Sequence, residues 1–139
     1  MRDRVFLDTN ILVYAYDKNE PEKQIRAQDI LKAAIEEESG IISAQILGEF
    51  FVVVTRRIKE PLPIDDAEKI IDIISVLPVA EIDKNLVRDA INIQKGYGIS
   101  YWDSLIVATA KREGCDRIIT EDLNDGQKYH GVLVENPFK

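Results

Sequence analysis

Four acidic residues stand at positions where chain geometry could bring them together. Asp8 ends an apolar run in FLDTN, and Asp122 follows the apolar run RIIT in the segment TEDL. Asp103 lies in SYWDSLIVATA, in the first turn of an expected helix, and Glu49 lies in QILGEFF. At about 100° per residue, Glu49 falls at the margin of the apolar face of its helix. Carboxylates collected in this way would form a site rich in oxygen ligands.

The chemistry that suits such a site is metal-assisted phosphodiester hydrolysis. Mg²⁺ prefers oxygen ligands and is held by a few carboxylates while it keeps several waters. Clustered carboxylates without a cation repel one another and raise their pKa values. One or two Mg²⁺ or Mn²⁺ ions can activate water and stabilise phosphate charge, so no histidine base is required. This agrees with a chain whose only histidine, His130, lies in the turn-like segment KYHG.

Each acid also has an ordinary structural interpretation. Asp8 could cap a short helix that starts near Ile11, and the segment SYWD fits the capping-box pattern. Asp122 could be one turn acid among several polar residues. Glu49 is harder to explain in this way, because a carboxylate beside an apolar face needs a partner, and Arg56 is the nearest candidate at helical spacing. The argument for a metal site therefore depends on joint placement.

Short β runs alternate with amphipathic helices along the chain. Strands are expected at 4–8, 41–42, 78–82, 115–120 and 132–134. Helices are expected at 22–38, 43–58, 65–77, from 83 to the break at 96–98, and at 100–113. Gly40 is expected to close the first long helix, and Asp65 with Glu68 and Asp83 to cap later ones. The alternation predicts a parallel sheet of four to five strands covered on both faces, with ligands beyond the C-terminal strand ends.

Size and charge set the class of protein. The 139 residues, 45% hydrophobic and 31% charged, predict one globular domain over residues 1–139. A single cysteine, Cys115, permits no intrachain disulfide, and neither a signal peptide nor a long apolar span is evident, so a cytoplasmic protein without a membrane is expected. The net charge of −7 argues against a broad basic face. Substrate contact is then expected from scattered bases: Arg56, Arg57, Lys59, Lys111 and Arg112.

These residues give the sequence a family resemblance. It resembles the PIN-domain nucleases, and among them the VapC-like toxins of type II toxin–antitoxin pairs. The resemblance runs through FLDTNILVYAYD, SAQILGEFFVVVTRR, YWDSLIVATAKREGCDRIITEDLNDGQ and the closing ENPF, and so covers essentially the whole chain. The order and spacing of the four acids carry more of it than any single motif.

The resemblance implies a fold, a site and partners. The fold would be a three-layer α/β/α sandwich with a parallel central sheet, and Asp8, Glu49, Asp103 and Asp122 would be the catalytic, metal-binding acids. Asn10 and Thr120 would be supporting polar residues, while Glu121 and Asp125 could hold waters further out. The activity implied is Mg²⁺- or Mn²⁺-dependent cleavage of RNA. The partners implied are a small antitoxin that covers the active groove and a second copy of the chain in a homodimer.

Four other interpretations stay open, or are weakened or excluded by particular residues. The chain could be an RNA-processing PIN nuclease without a toxin role, or a non-catalytic protein-interaction module with the same fold. A HAD-like phosphotransferase also starts from an aspartate after a first strand, but it uses D-x-D, and here Asn10 follows Asp8-Thr9. No G-x-x-x-x-G-K-[ST] segment is present, which excludes an ordinary P-loop nucleotidase.

Overall fold

The computed structural model describes residues 3–139, and residues 1 and 2 of the predicted domain lie outside that range. Its strands are β1 (Val5–Leu7), β2 (Gly40–Ser43), β3 (Val79–Ala80), β4 (Arg117–Ile119), β5 (Lys128–Tyr129) and β6 (Val132–Glu135). Its helices are α1 (Thr9–Ala15), α2 (Pro21–Glu36), α3 (Ala44–Arg56), α4 (Ile64–Ile74), α5 (Lys84–Tyr97) and α6 (Tyr101–Arg112). The expected alternation of strands and helices is therefore confirmed.

The sheet places β1 near its centre. The strand order is β3-β2-β1-β4-β6-β5, and every pair is parallel except β5 with β6. In the register of β1 with β4, Leu7 lies opposite Ile119. Since the two strands are parallel, the residues that follow them, Asp8 and Thr120, leave the sheet side by side. This edge is where a ligand site is expected in an open α/β sheet.

Helices cover both faces of the sheet and give the predicted three-layer α/β/α sandwich. The apolar side chains of the central strands are buried, with Phe6, Leu7 and Ile118 at 0% exposure. Burying each such side chain contributes roughly 1.5–3 kcal/mol, so the strands that end at the acids are firmly fixed. Over residues 3–139, no helix combines the length and apolar character needed to cross a membrane.

Within residues 3–139 the sheet has six strands, one more than the four to five predicted. The additional strand is β5, two residues long and antiparallel to β6. His130 and Gly131 connect the two strands with φ values of 50° and 85°. Positive φ at both central residues is typical of the two-residue turn that matches the twist of a hairpin. The turn predicted at KYHG is therefore confirmed only at His130 and Gly131, because Lys128 and Tyr129 form β5, which is too short to show a recognisable periodicity.

The capping box predicted at Asp65 and Glu68 is wrong. Helix α4 begins at Ile64, after Pro63, and no side chain of the described residues caps it. Asp65 therefore lies inside the first turn, where its negative charge meets the positive end of the helix dipole. The caps predicted at Asp83 and Ser100 are confirmed, because their side chains accept hydrogen bonds from the backbone amides of Leu86 and Asp103.

Gly40 does not close α2, contrary to the prediction. The helix ends at Glu36, and the turn after it contains Glu38 with φ 53°. Gly40 is instead the first residue of β2, and a Cβ atom added to it would lie 2.7 Å from Cβ of Ala34. The glycine is thus required by the close approach of strand and helix.

Candidate active site

Asp8 is the buried centre of the site. It is 3% exposed and is the N-cap of α1. Its Oδ1 accepts a hydrogen bond of 2.7 Å from the backbone amide of Thr9, and its Oδ2 accepts one of 2.6 Å from the hydroxyl of Thr120. Asp8 therefore caps a helix, which is the ordinary structural role considered from the sequence. It is also hydrogen-bonded to Thr120, the residue that follows β4.

Asn10 and Thr120 connect Asp8 to Asp122. The Oγ1 atom of Thr120 accepts hydrogen bonds from Asn10 Nδ2 at 3.3 Å and from the backbone amide of Asp122 at 3.1 Å. Asn10 Nδ2 also donates to Oδ2 of Asp122 at 3.0 Å. Asn10 Oδ1 is buried and has no hydrogen-bond partner within residues 3–139. The two predicted supporting residues thus lie between two of the predicted acids.

Glu49 approaches the same group from α3. Its Oε2 accepts a hydrogen bond of 3.4 Å from the hydroxyl of Thr9, and its Oε1 accepts one of 2.7 Å from Gln45 Nε2. In the described part of the chain no ion pair joins Glu49 to Arg56, the partner considered from the sequence. Glu49 is therefore held by neutral donors that leave its charge uncompensated.

The electrostatics of Asp8 reflect this arrangement. Burial raises the pKa of Asp8 to about 6, against the hydrogen bonds from Thr120 and Thr9, which lower it. The charges of Asp122 and Glu49 raise the pKa of Asp8 further. Of the lysines and arginines in residues 3–139, none forms an ion pair with any of these three acids. Three carboxylates thus share an edge of the sheet without a protein cation.

Asp103 lies at the start of α6 and is connected to this group indirectly, through Gln45 and the neighbouring residue Trp102. Ser100 Oγ accepts a hydrogen bond of 3.1 Å from the backbone amide of Asp103, which is the capping pattern seen in the sequence. Gln45, which holds Glu49, also donates to the backbone oxygen of Trp102 at 3.4 Å. After burial, the charge of Asp103 is the next cause that raises the pKa of Tyr129. The charge of Asp103 therefore acts on Tyr129 in β5.

The donor set suits a hard cation held partly through water. Over residues 3–139, no three His, Cys, Asp or Glu side chains already form a metal cage. Mg²⁺ does not need one, because it is commonly bound by one or two carboxylates and keeps several waters. The uncompensated carboxylates of Asp8, Glu49 and Asp122 and the unpartnered Oδ1 of Asn10 are oxygen atoms of the kind that Mg²⁺ and Mn²⁺ prefer.

The predicted substrate-binding bases are spread over two separate regions. Arg56 and Arg57 are exposed at the end of α3. Lys111 and Arg112 lie in the last turn of α6, about 16 Å along the helix from its first turn. Arg112 forms an ion pair of 2.8 Å with Asp83 and donates to the backbone oxygen of Glu81, so its charge already has a partner.

Sequence reasoning missed several contacts of the site. Thr9 and Gln45 hold carboxylates directly, and the spacing of Gln45 four residues before Glu49 is a signal that could have identified it. Glu121 accepts hydrogen bonds from Tyr14 and Lys23. The Oδ1 atom of Asp125 accepts a hydrogen bond from the backbone amide of Asn136.

An open, mostly apolar cleft adjoins Glu49. It has a volume of about 680 Å³ and is lined by residues of α3 and α6 together with Ile82. Trp102 stands at this cleft with 63% exposure. Of the four predicted acids, Glu49 lines this space, which is large enough for part of a polymeric substrate.

Comparisons with known proteins agree with the fold. A toxin–antitoxin complex from Klebsiella pneumoniae contains a similar chain, with a TM-score of 0.70, 19% identity and coverage of 96% of this chain and 97% of that one. The VapC20 toxin of Mycobacterium tuberculosis is described as cleaving the sarcin–ricin loop. It is similar with a TM-score of 0.62, 16% identity and coverage of 82% of this chain and 86% of that one. A chain of VapBC2 from Rickettsia felis, bound to a DNA fragment from its promoter, is similar with a TM-score of 0.67, 22% identity and coverage of 95% of this chain and 97% of that one.

No curated protein matches the sequence. The PIN-domain family model, however, matches residues 5–127, which include β1, the whole acidic group and the helices between them. This chain therefore belongs to the PIN-domain family.

Proposed function

We propose that this protein is an endoribonuclease that uses Mg²⁺ or Mn²⁺, one or two ions, held by Asp8, Glu49, Asp103 and Asp122. The observation that carries the proposal is the Asp8 carboxylate, which is 3% exposed, has no basic partner among residues 3–139 and lies next to two further acids at the C-terminal edge of the sheet. A buried carboxylate left in this state disfavours the metal-free protein, and a bound cation removes that cost.

The protein's own residues fix the geometry of the reaction. Thr9 and Thr120 hold the two oxygens of Asp8 in place, and Asn10 donates a hydrogen bond to the carboxylate of the exposed Asp122. Glu49 borders the cleft where substrate would lie. The bound ion would supply Lewis-acid stabilisation of phosphate charge and a water acidic enough to attack near neutral pH.

RNA is the substrate class that fits best. The VapC20 neighbour is described as cleaving an RNA loop, which supports RNA over DNA for this chain. The exposed ring of Trp102 beside Glu49 offers a surface on which an unpaired base can stack. Arg56 and Arg57, which have no ion pair in the described residues, are available for phosphate contacts.

The biological role that we propose is that of a toxin paired with a small antitoxin, in a cytoplasmic homodimer. The support is that one neighbour of this fold is described as a toxin–antitoxin complex, and that VapBC neighbours are described as bound to DNA. Two observations would favour the toxin. One is a short adjoining reading frame for a DNA-binding protein. The other is growth arrest when the PIN-domain chain is expressed alone, relieved when that DNA-binding protein is expressed with it. Expression without growth arrest would favour an RNA-processing nuclease.

The decisive experiment incubates the purified protein with an RNA pool, with Mg²⁺ and with EDTA. Cleavage should require the metal and should be lost in Asp8→Asn. Asp72→Asn, which neutralises an exposed acid in α4, is the matched control and should cleave like the native protein. If the RNA stays intact under all metal conditions, the non-catalytic interaction module becomes the better description.

A further inference from the structure

A second polar cluster lies directly behind Asp122 and does not include any of the four acids. Glu121 stands between Thr120 and Asp122 in the chain. Its side chain contacts Tyr14 of α1 and Lys23 of α2, whereas that of Asp122 contacts Asn10. Tyr14 Oη donates a hydrogen bond to Oε1 of Glu121, and Lys23 Nζ lies 3.0 Å from its Oε2. Both carboxylate oxygens of Glu121 therefore have donors.

Lys23 is itself fixed from several sides. Its Nζ atom donates to Tyr14 Oη at 3.2 Å and lies 4.7 Å from the centre of the Tyr14 ring and 5.5 Å from that of Phe138. The two rings meet edge to face at 5.2 Å. The hydrogen bond to Glu121 is the largest cause that raises the pKa of Lys23, so the ammonium form is favoured. The ammonium of Lys23 is thus attracted to two ring faces and a carboxylate at the same point.

We propose that Tyr14, Lys23 and Glu121, here called the Lys23 anchor, position the segment Thr120–Asp122 so that Asp122 and the Thr120 hydroxyl face Asp8. In this proposal Glu121 is a positioning residue and not a metal ligand, because its charge is neutralised by Lys23. The inference rests on the proposed function only in its consequence for metal binding. The positioning itself can be measured on the protein alone.

The geometry explains why such an anchor is needed. Three consecutive side chains leave the end of β4 in different directions, with Thr120 joined to Asp8, Glu121 to Lys23 and Asp122 to Asn10. Asp122 is exposed and has one side-chain donor within residues 3–139, so its position depends on the backbone on either side. Fixing Glu121 from behind restricts that backbone.

The first test is amide hydrogen exchange of Thr120 and Asp122 in the metal-free protein. Their amides are bonded to Glu135 O and Thr120 Oγ1. Lys23→Met and Tyr14→Phe, which keeps the ring, should each accelerate exchange at these two amides while β1 amides keep their protection. Lys23→Arg should restore protection. Lys18→Met, which breaks the exposed pair with Glu60, is the matched control. Unchanged exchange at Thr120 and Asp122 in both variants overturns the proposal.

The second test is calorimetric titration with Mn²⁺ alone, followed by steady-state cleavage. Lys23→Met and Glu121→Gln should weaken Mn²⁺ binding by about tenfold, the effect typical of losing an outer partner of a metal site. They should lower kcat while leaving KM for RNA unchanged, and Tyr14→Phe combined with Glu121→Gln should be no worse than Glu121→Gln. If Glu121→Gln abolishes Mn²⁺ binding as Asp8→Asn does, Glu121 is a ligand and the proposal is wrong. If the native protein binds no Mn²⁺, the proposed function fails, and the exchange result still decides the anchor.

Discussion

The hydroxyl of Thr120 donates a hydrogen bond of 2.6 Å to Oδ2 of Asp8, which joins the ends of the parallel strands β4 and β1. A hydroxyl orients a carboxylate without neutralising it. Asp8 is therefore buried in a fixed position with its charge uncompensated, and its pKa of about 6 follows mainly from that burial. A site built in this way is less stable without a cation, and this property can be measured.

The metal-free protein should lose stability as the pH rises from about 4 to about 6. The pKa of Asp8 is raised from 3.8 to about 6 in the folded chain, so folding favours the protonated acid. The stabilisation is complete below the unfolded pKa and is lost as the pH passes the folded pKa. At 1.36 kcal/mol for each pKa unit, Asp8→Asn should gain up to about 3 kcal/mol relative to the native protein at pH 7. Urea unfolding in EDTA from pH 4 to pH 8 measures this.

The control for this prediction is Asp72→Asn, which should follow the native pH profile because its carboxylate is exposed on α4. If Asp8→Asn is less stable than the native protein at pH 7 in EDTA, the burial of an uncompensated charge is not the dominant property of this residue.

Divalent metal should stabilise the native protein. A cation that binds only the folded state adds RT ln(1 + [L]/Kd), about 2.7 kcal/mol at one hundred times Kd. Thermal unfolding at increasing Mn²⁺ or Mg²⁺ should therefore show a rising Tm that EDTA reverses. Asp8→Asn should show a much smaller rise, and Ca²⁺-free buffer without the added metal gives the baseline. A Tm that is independent of metal in the native protein contradicts the proposed site.

The parts of the site that could be predicted are those set by local pattern. Apolar runs that end at Asp8 and before Asp122 predict where parallel strands stop, and the shared edge follows from the alternation of strands and helices. The N-caps at Asp83 and Ser100 were predictable because a capping contact spans only three residues. Family resemblance then supplied Asn10 and Thr120, which the structure places between Asp8 and Asp122.

The parts that could not be predicted depend on contacts between distant residues. Lys23 and Glu121 are separated by 98 positions, and no periodicity relates them. Gly40 resembles a helix-ending glycine in the sequence, and only the packing of β2 against Ala34 shows its actual role. Strand β5 is two residues long, too short to have a pattern of its own.

Gly40→Ala should destabilise the fold without touching the acids. The new Cβ would lie 2.7 Å from Cβ of Ala34 and 3.3 Å from the Leu77 side chain, so strand and helix must separate. Overpacking of this kind costs typically about 1–3 kcal/mol, measurable by urea unfolding. Gly96→Ala in α5, where an added Cβ meets nothing within 4 Å, is the matched control and should be neutral or stabilising by up to about 1 kcal/mol. Equal stability of Gly40→Ala and the native protein would contradict the close approach.

Asp103 should be distinguishable from the other three acids by titration. The pKa of Asp8 is raised by the charges of Asp122 and Glu49, whereas the charge of Asp103 raises the pKa of Tyr129. In the metal-free protein, Asp122→Asn should lower the pKa of Asp8, and Asp103→Asn should leave it nearly unchanged. Carbon-13 NMR of the Asp8 carboxyl group follows both variants.

Cleavage then decides whether Asp103 belongs to the metal site. If Asp103 is a ligand that reaches the ion from the start of α6, Asp103→Asn should lower the rate of Mg²⁺-dependent RNA cleavage by at least about tenfold. Because Ser100 caps α6 through a backbone amide, Asp103→Asn leaves that cap intact, and its Tm in EDTA should match the native value. Native cleavage rates in Asp103→Asn, with loss of cleavage in Asp122→Asn, would show that Asp103 does not belong to the metal site. The site would then consist of Asp8, Glu49 and Asp122.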